Sequence, residues 1–140
     1  MIFSGEREQM RRFFRAAWRK HRDGEALEPL EQLIADVVAE HPEYQACVEH
    51  ENGLTDFAPE QGATNPFLHM GMHIAIREQV AADRPAGIAA VHRSLCRRLA
   101  DAGAAEHRMM ECLGESLWRA QRENRPPDER AYLECLRNRL

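Results

Sequence analysis

The sequence predicts an all-α, single-domain bundle of five or six helices built around one central apolar helix. Three observations predict it. Apolar residues recur at three-four spacing along most of the chain, helix stop and start signals punctuate it, and no stretch shows the period-two alternation of a strand. At 140 residues the chain has the size of one domain, and residues 1–140 are read as such.

The first helix is expected from about Glu6 to Arg22. Met10, Phe13, Phe14, Ala17 and Trp18 form its apolar stripe, with arginines opposite, and Asp23-Gly24 stops it. The second starts near Leu27, with Pro29 tolerated in its first turn, and carries Leu30, Leu33, Ile34, Val37 and Val38. Pro42 disfavours helical geometry at His41, so this helix ends there or restarts with a kink. Residues His50 to Thr64, with Asn52-Gly53, Pro59 and Gly62, read as a long loop. Thr64-Asn65-Pro66 then supplies a capping side chain followed by proline at the first helical position. The segment Phe67–Ile76 carries no charge on any face, so it is expected to be the central helix, buried all round and running to about Asp83.

Arg84-Pro85 breaks that helix, and the next buries Ile88, Val91, Leu95 and Leu99, with Gly103 expected to close it. A further helix, from about Ala105 to Asn124, is expected to bury Met109, Met110, Leu113, Leu117 and Trp118. Pro126-Pro127 ends it. Asp128 caps a last short helix with Tyr132, Leu133, Leu136 and Leu140.

Charge is unevenly spread over a net −4. Arg7 to Arg22 is rich in arginine, whereas Asp23 to Ile76 holds neither Lys nor Arg and many acids. A basic helix could meet nucleic acid or lie across the acidic segment of its own fold; an acidic molecule favours the second, so nucleic acid is not the expected partner. No run of ~20 apolar residues predicts a membrane span, and the charged N-terminus lacks the apolar run of a signal peptide, so the expected setting is cytoplasmic. Cys47, Cys96, Cys112 and Cys135 form no Cys-x-x-Cys pair, which excludes a cysteine zinc finger and argues against disulfides in a reducing cell. There is also no Gly-rich phosphate loop, no Gly-x-Ser-x-Gly elbow and no His-Glu-x-x-His motif.

The chemistry-bearing residues are histidines. His69 and His73 stand one helical turn apart, a spacing that lets two imidazoles close on one metal ion. His107 and Glu111 repeat that spacing on a later helix, and His41 sits at the end of the second. These five residues are the candidate metal ligands, with Glu78 or Glu115 behind them. Mixed imidazole and carboxylate donors suit iron, zinc or manganese, so the expected cofactor is a divalent metal, iron or zinc first. Each residue also has a plainer reading: a buried histidine is usually a hydrogen-bonded core residue, and His107 beside Glu106 and Arg108 reads as a solvated first-turn residue.

His41-Pro42-Glu43-Tyr44, Asn65-Pro66-Phe67-Leu68-His69-Met70-Gly71-Met72-His73, Glu78-Gln79 and His107-Arg108-Met109-Met110-Glu111-Cys112-Leu113-Gly114-Glu115 together resemble a bacterial family known as domain of unknown function 1841. The resemblance implies a stand-alone bacterial protein whose polar signature includes His41, His69, His73, Glu78, His107 and Glu111; it implies no activity. The ligand spacing is also similar to that of hemerythrin, which pairs a His-x-x-x-Glu with a His-x-x-x-His, although here the two motifs come in the opposite order.

Two functions are therefore expected to compete. One is a small metal-binding helical protein. The other is a non-catalytic interaction module, self-associating or binding a protein partner, whose buried histidines hold the fold together.

Overall fold

The computed structural model describes residues 4–50 and 65–140. Among these the chain is all-α: α1 (Ser4–Arg22), α2 (Pro29–Ala39), α3 (Pro42–Glu49), α4 (Pro66–Ala82), α5 (Ile88–Leu99), α6 (Ala102–Glu123) and α7 (Glu129–Asn138). Seven helices exceed the expected five or six because the restart after Pro42 grows into a helix of its own. The loop expected from His50 to Thr64 lies, beyond His50 itself, outside the described residues. None of the described helices is long and apolar enough to cross a membrane.

The chain divides into two compact units, Met1–Ile74 and Ala75–Leu140, and the division falls inside α4. In the first unit α1 packs against α2 and α3. Its core joins Phe14, Ala17 and Trp18 of α1 to Ile34, Val37 and Val38 of α2, Cys47 and Val48 of α3, and Phe67, Met70 and Ile74 of α4. Phe14 meets Phe67 edge to face at 5.6 Å between centroids. Burying side chains of this size contributes ~1.5–3 kcal/mol each, so this cluster is the main stabiliser of the unit. Gly24, at φ +73°, takes the left-handed turn that ends α1 and sends the chain back towards α2. Phe13 and Leu30, expected in the stripes, are 42% exposed.

The arginine-rich helix does meet acids of its own unit. Lys20 Nζ lies 2.8 Å from Glu31 Oε2 on α2, and Glu49 Oε2 on α3 takes Arg22 Nη1 at 2.8 Å and Trp18 Nε1 at 2.9 Å. Glu31 also closes a capping box, its Oε1 accepting from the Glu28 backbone at 2.8 Å.

α4 departs from its expected burial. Met70, His73, Ile74 and Ile76 are covered, but Leu68 is 58% exposed and Gly71 and Met72 are half-buried. An uncharged face is not necessarily a covered one: absence of charge records no obligation to meet solvent, and nothing about what packs there.

In the second unit α5, α6 and α7 pack on one another, burying Ile88, Val91 and Leu95, Ala105, Met109, Met110 and Leu113, and Tyr132 and Leu136. Asp83 Oδ1 accepts from the backbone of Gly87 and Ala89 at 3.1 and 3.0 Å, anchoring the start of α5. The expected stop at Gly103 is displaced. Ala100, at φ +55°, ends α5, and Asp101 caps α6 by accepting from Gly103 and Ala104 at 2.8 and 3.2 Å. The aspartate's capping bonds place Gly103 inside the new helix. Leu117 and Trp118, expected in the core, are 44% and 56% exposed; they share a face of α6 that no described element covers, and Arg122 lies over the Trp118 ring at 5.0 Å.

Two further features were not expected. Arg77 and Glu106 form a two-pronged pair, Nε–Oε2 at 2.8 Å and Nη2–Oε1 at 3.2 Å, with Glu106 only 7% exposed. Cys112 and Cys135 are joined in a disulfide with Cα atoms 5.8 Å apart. Linear spacing does not encode this pairing: the turn at Asn124–Pro127, which folds α7 back along α6, brings the two sulfurs together.

Candidate metal centre

Asn65 sets the register of α4. Its Oδ1 accepts from the backbone N–H of Phe67 at 3.0 Å and of Leu68 at 3.4 Å, so Asn65 caps the helix, and Pro66 fills the first helical position; Thr64, the other expected cap, lies outside the described residues. From that start His69 and His73 fall on one face, one turn apart, with centroids 5.0 Å apart. Their Nε2 atoms are separated by 3.3 Å.

His41 arrives from the junction of α2 and α3. It takes a non-helical conformation, φ −125° and ψ 69°, immediately before Pro42. Its Nδ1–H donates to the Val37 carbonyl at 2.7 Å, which fixes the tautomer and leaves Nε2 with its lone pair. The ring lies 5.3 Å from His69 and 4.8 Å from His73 between centroids. Each of the three histidines offers one ring nitrogen, and these nitrogens lie within 4.8 Å of one another. His73 is 2% exposed, while His41 and His69 are half-buried. The cluster is thus closed on one side and reachable on the other.

Tyr44 completes the wall. It stacks on His41 at 5.6 Å with rings 3° from parallel, and meets His69 edge-on at 5.8 Å. Burial, then the nearby Glu43 carboxylate, pushes its phenol above the ordinary tyrosine range, so it stays a neutral O–H. The ligand spacing pointed to histidines and not to Tyr44; the available signal was its position three residues after His41, in the first turn that Pro42 starts.

Of the five expected ligands, His41, His69 and His73 converge within the first unit. His107 and Glu111 stand on α6 in the second unit, both exposed, and Glu111 Oε2 accepts from Arg139 Nη1 at 2.8 Å. Glu78 is exposed, and Glu115 pairs with Arg119 at 2.9 Å.

Three imidazoles around one point are the donor set of an N3 metal site, in which a bound ion would keep a position for water or substrate. The same nitrogens, with one proton between His69 and His73, can instead form a hydrogen bond. No curated protein and no solved structure matches the chain. A family model does, over residues 6–138, and the chain belongs to the family described as Domain of unknown function (DUF1841).

Proposed function

We propose that this chain is a small helical metal-binding protein whose first unit holds one divalent ion on His41, His69 and His73. The observation that carries the reading is the 3.3 Å between the two Nε2 atoms of α4. Two nitrogens bound to tetrahedral zinc at ~2.0–2.1 Å must lie ~3.3–3.4 Å apart, so the helix already holds one edge of that tetrahedron. The His41 hydrogen bond to Val37 adds the tautomer a ligand needs. Imidazole donors without thiolate suit zinc or ferrous iron, and a bound ion would supply Lewis acidity at its open position.

A second reading has its own support. The 3.3 Å contact is also a hydrogen-bond length, and together with the Val37 carbonyl it gives each of the three rings a hydrogen-bond partner within the protein. The protein would then be an interaction module with a structural histidine network. The basic α1 is less available as its partner surface than sequence suggests, because Lys20 and Arg22 engage Glu31 and Glu49.

Metal analysis of protein purified without a histidine tag, followed by calorimetry of the chelator-treated protein with zinc and anaerobic ferrous iron, separates the two. The metal reading expects one ion per chain, with affinity lowered at least tenfold in each of His41→Ala, His69→Ala and His73→Ala. His107→Ala leaves it within twofold if three histidines suffice. Empty protein that binds neither ion removes the metal reading.

A further inference from the structure

The second unit carries a separate reactive group. A cleft of about 580 Å³ runs between α6 and α7, and its lining includes Cys112, Glu115, Arg119, Tyr132, Cys135 and Arg139. That volume lies within the ~300–1,000 Å³ range of small-ligand sites. The two ends of the disulfide differ. Cys112 is 1% exposed, whereas Cys135 is half-buried. Attack on a disulfide needs access to one sulfur, and both residues line the cleft, with Cys135 the more exposed of the two.

The bond is one of several contacts that hold α7 in place. Tyr132 and Leu136, three residues before and one after Cys135, are buried. The Tyr132 hydroxyl donates to Gln79 Oε1 at 2.7 Å, Arg139 pairs with Glu111 at 2.8 Å, and Arg98 donates to the carbonyl of Leu140. None of these contacts runs through the sulfurs, so opening the bond removes none of them. A strap that is anchored noncovalently makes the oxidised and reduced chains alternative states of one fold.

We propose that Cys112–Cys135 is an exchangeable disulfide whose reaction partner is a low-molecular-weight thiol entering this cleft. The thiolate attacks Cys135 Sγ, a new sulfur–sulfur bond forms there, and the Cys112–Cys135 bond breaks. Cys112 leaves with the electron pair and takes a proton from solvent. A second thiol then attacks the mixed disulfide, releasing the small-molecule disulfide and the Cys135 thiol. In sum, the protein disulfide gains two electrons and two protons while two small thiols are oxidised to one disulfide; the reverse sequence recloses it.

The test uses the full chain, treated with chelator so that the histidine cluster plays no part. The protein is equilibrated in buffers of graded glutathione to glutathione-disulfide ratio, acid-quenched, alkylated and read by peptide mass spectrometry. The expected result is that Cys112 and Cys135 open and close together while the helical circular dichroism is retained. During reduction of the wild type, glutathione should be trapped on Cys135 in at least tenfold excess over Cys112. Cys112→Ser should take up glutathione at Cys135 at least tenfold faster than Cys135→Ser does at Cys112. The proposal is overturned by a pair that opens only in denaturant, by one found as free thiols in every buffer, or by equal trapping on both sulfurs. Opening by a protein dithiol reductase but not by glutathione also overturns it. The trapping measurement needs no variant, so a serine variant that fails to fold leaves the test intact.

Discussion

His69 and His73 face each other across one turn of α4 with their Nε2 atoms 3.3 Å apart, and His73 is almost wholly buried. On the proposed metal reading, an ion seated there would bind the folded chain and not the dispersed imidazoles of the unfolded one. It would therefore add stability by linkage, ~2.7 kcal/mol at a hundredfold excess over the dissociation constant. Zinc or ferrous iron should raise the melting temperature of chelator-treated protein, and His73→Ala should abolish that response while remaining helical. A wild type whose melting temperature ignores both metal and chelator contradicts this expectation.

The His69/His73 geometry was legible because helical period alone decides that residues four apart share a face. His41 was legible as a candidate, but its approach depends on Pro42 turning the chain between α2 and α3, and no spacing rule encodes that distance. His107 and Glu111 obey the same i, i+4 pattern and are exposed on α6; periodicity says which residues share a face and not what that face meets. The Arg77–Glu106 pair and the Cys112–Cys135 bond were not legible at all. Each joins residues more than twenty positions apart, through packing that single-helix patterns do not describe.

Asn65 caps α4 through two backbone N–H groups. Asn65→Ala should lower stability by ~1 kcal/mol, and Asn65→Asp should restore most of it, since Asp accepts the same bonds. Because the cap positions the turn that carries His69, the alanine variant should, on the proposed metal reading, also weaken zinc binding. Denaturant melts with and without zinc measure both effects. Equal stability in wild type and Asn65→Ala would mean that the helix start is held by something else.

Arg77 and Glu106 form a charged pair with side chains 21% and 9% exposed. Removing one partner of such a pair takes two charge-assisted hydrogen bonds from the other in a poorly solvated place. Glu106→Ala should cost about 3 kcal/mol, and the double variant Arg77→Met/Glu106→Leu should recover much of that loss. Urea denaturation of the three proteins gives the comparison; a double variant no more stable than Glu106→Ala would show that other contacts of Arg77 and Glu106 dominate.

Lys20 and Glu31 tie α1 to α2 at 2.8 Å, and the two ends shift in opposite directions. The hydrogen bond from Lys20, then that from the Glu28 backbone, holds the Glu31 carboxyl below its ordinary value; the hydrogen bond to Glu31 and its charge hold Lys20 above its own. A depressed carboxyl pKa contributes stability that is full above the unfolded value, ~4.3, and is lost as pH falls through the lower folded value. A raised ammonium pKa contributes stability that is full below ~10.4 and is lost as pH rises through the higher folded value. The stability gap between wild type and Lys20→Met should thus be flat across the neutral range and shrink towards both extremes. Both groups touch solvent, so the gap should also narrow in high salt. Denaturant melts at acid, neutral and alkaline pH trace the profile. A gap that stays constant into acid would show that Lys20 acts through packing of its methylene stem rather than through its charge on Glu31.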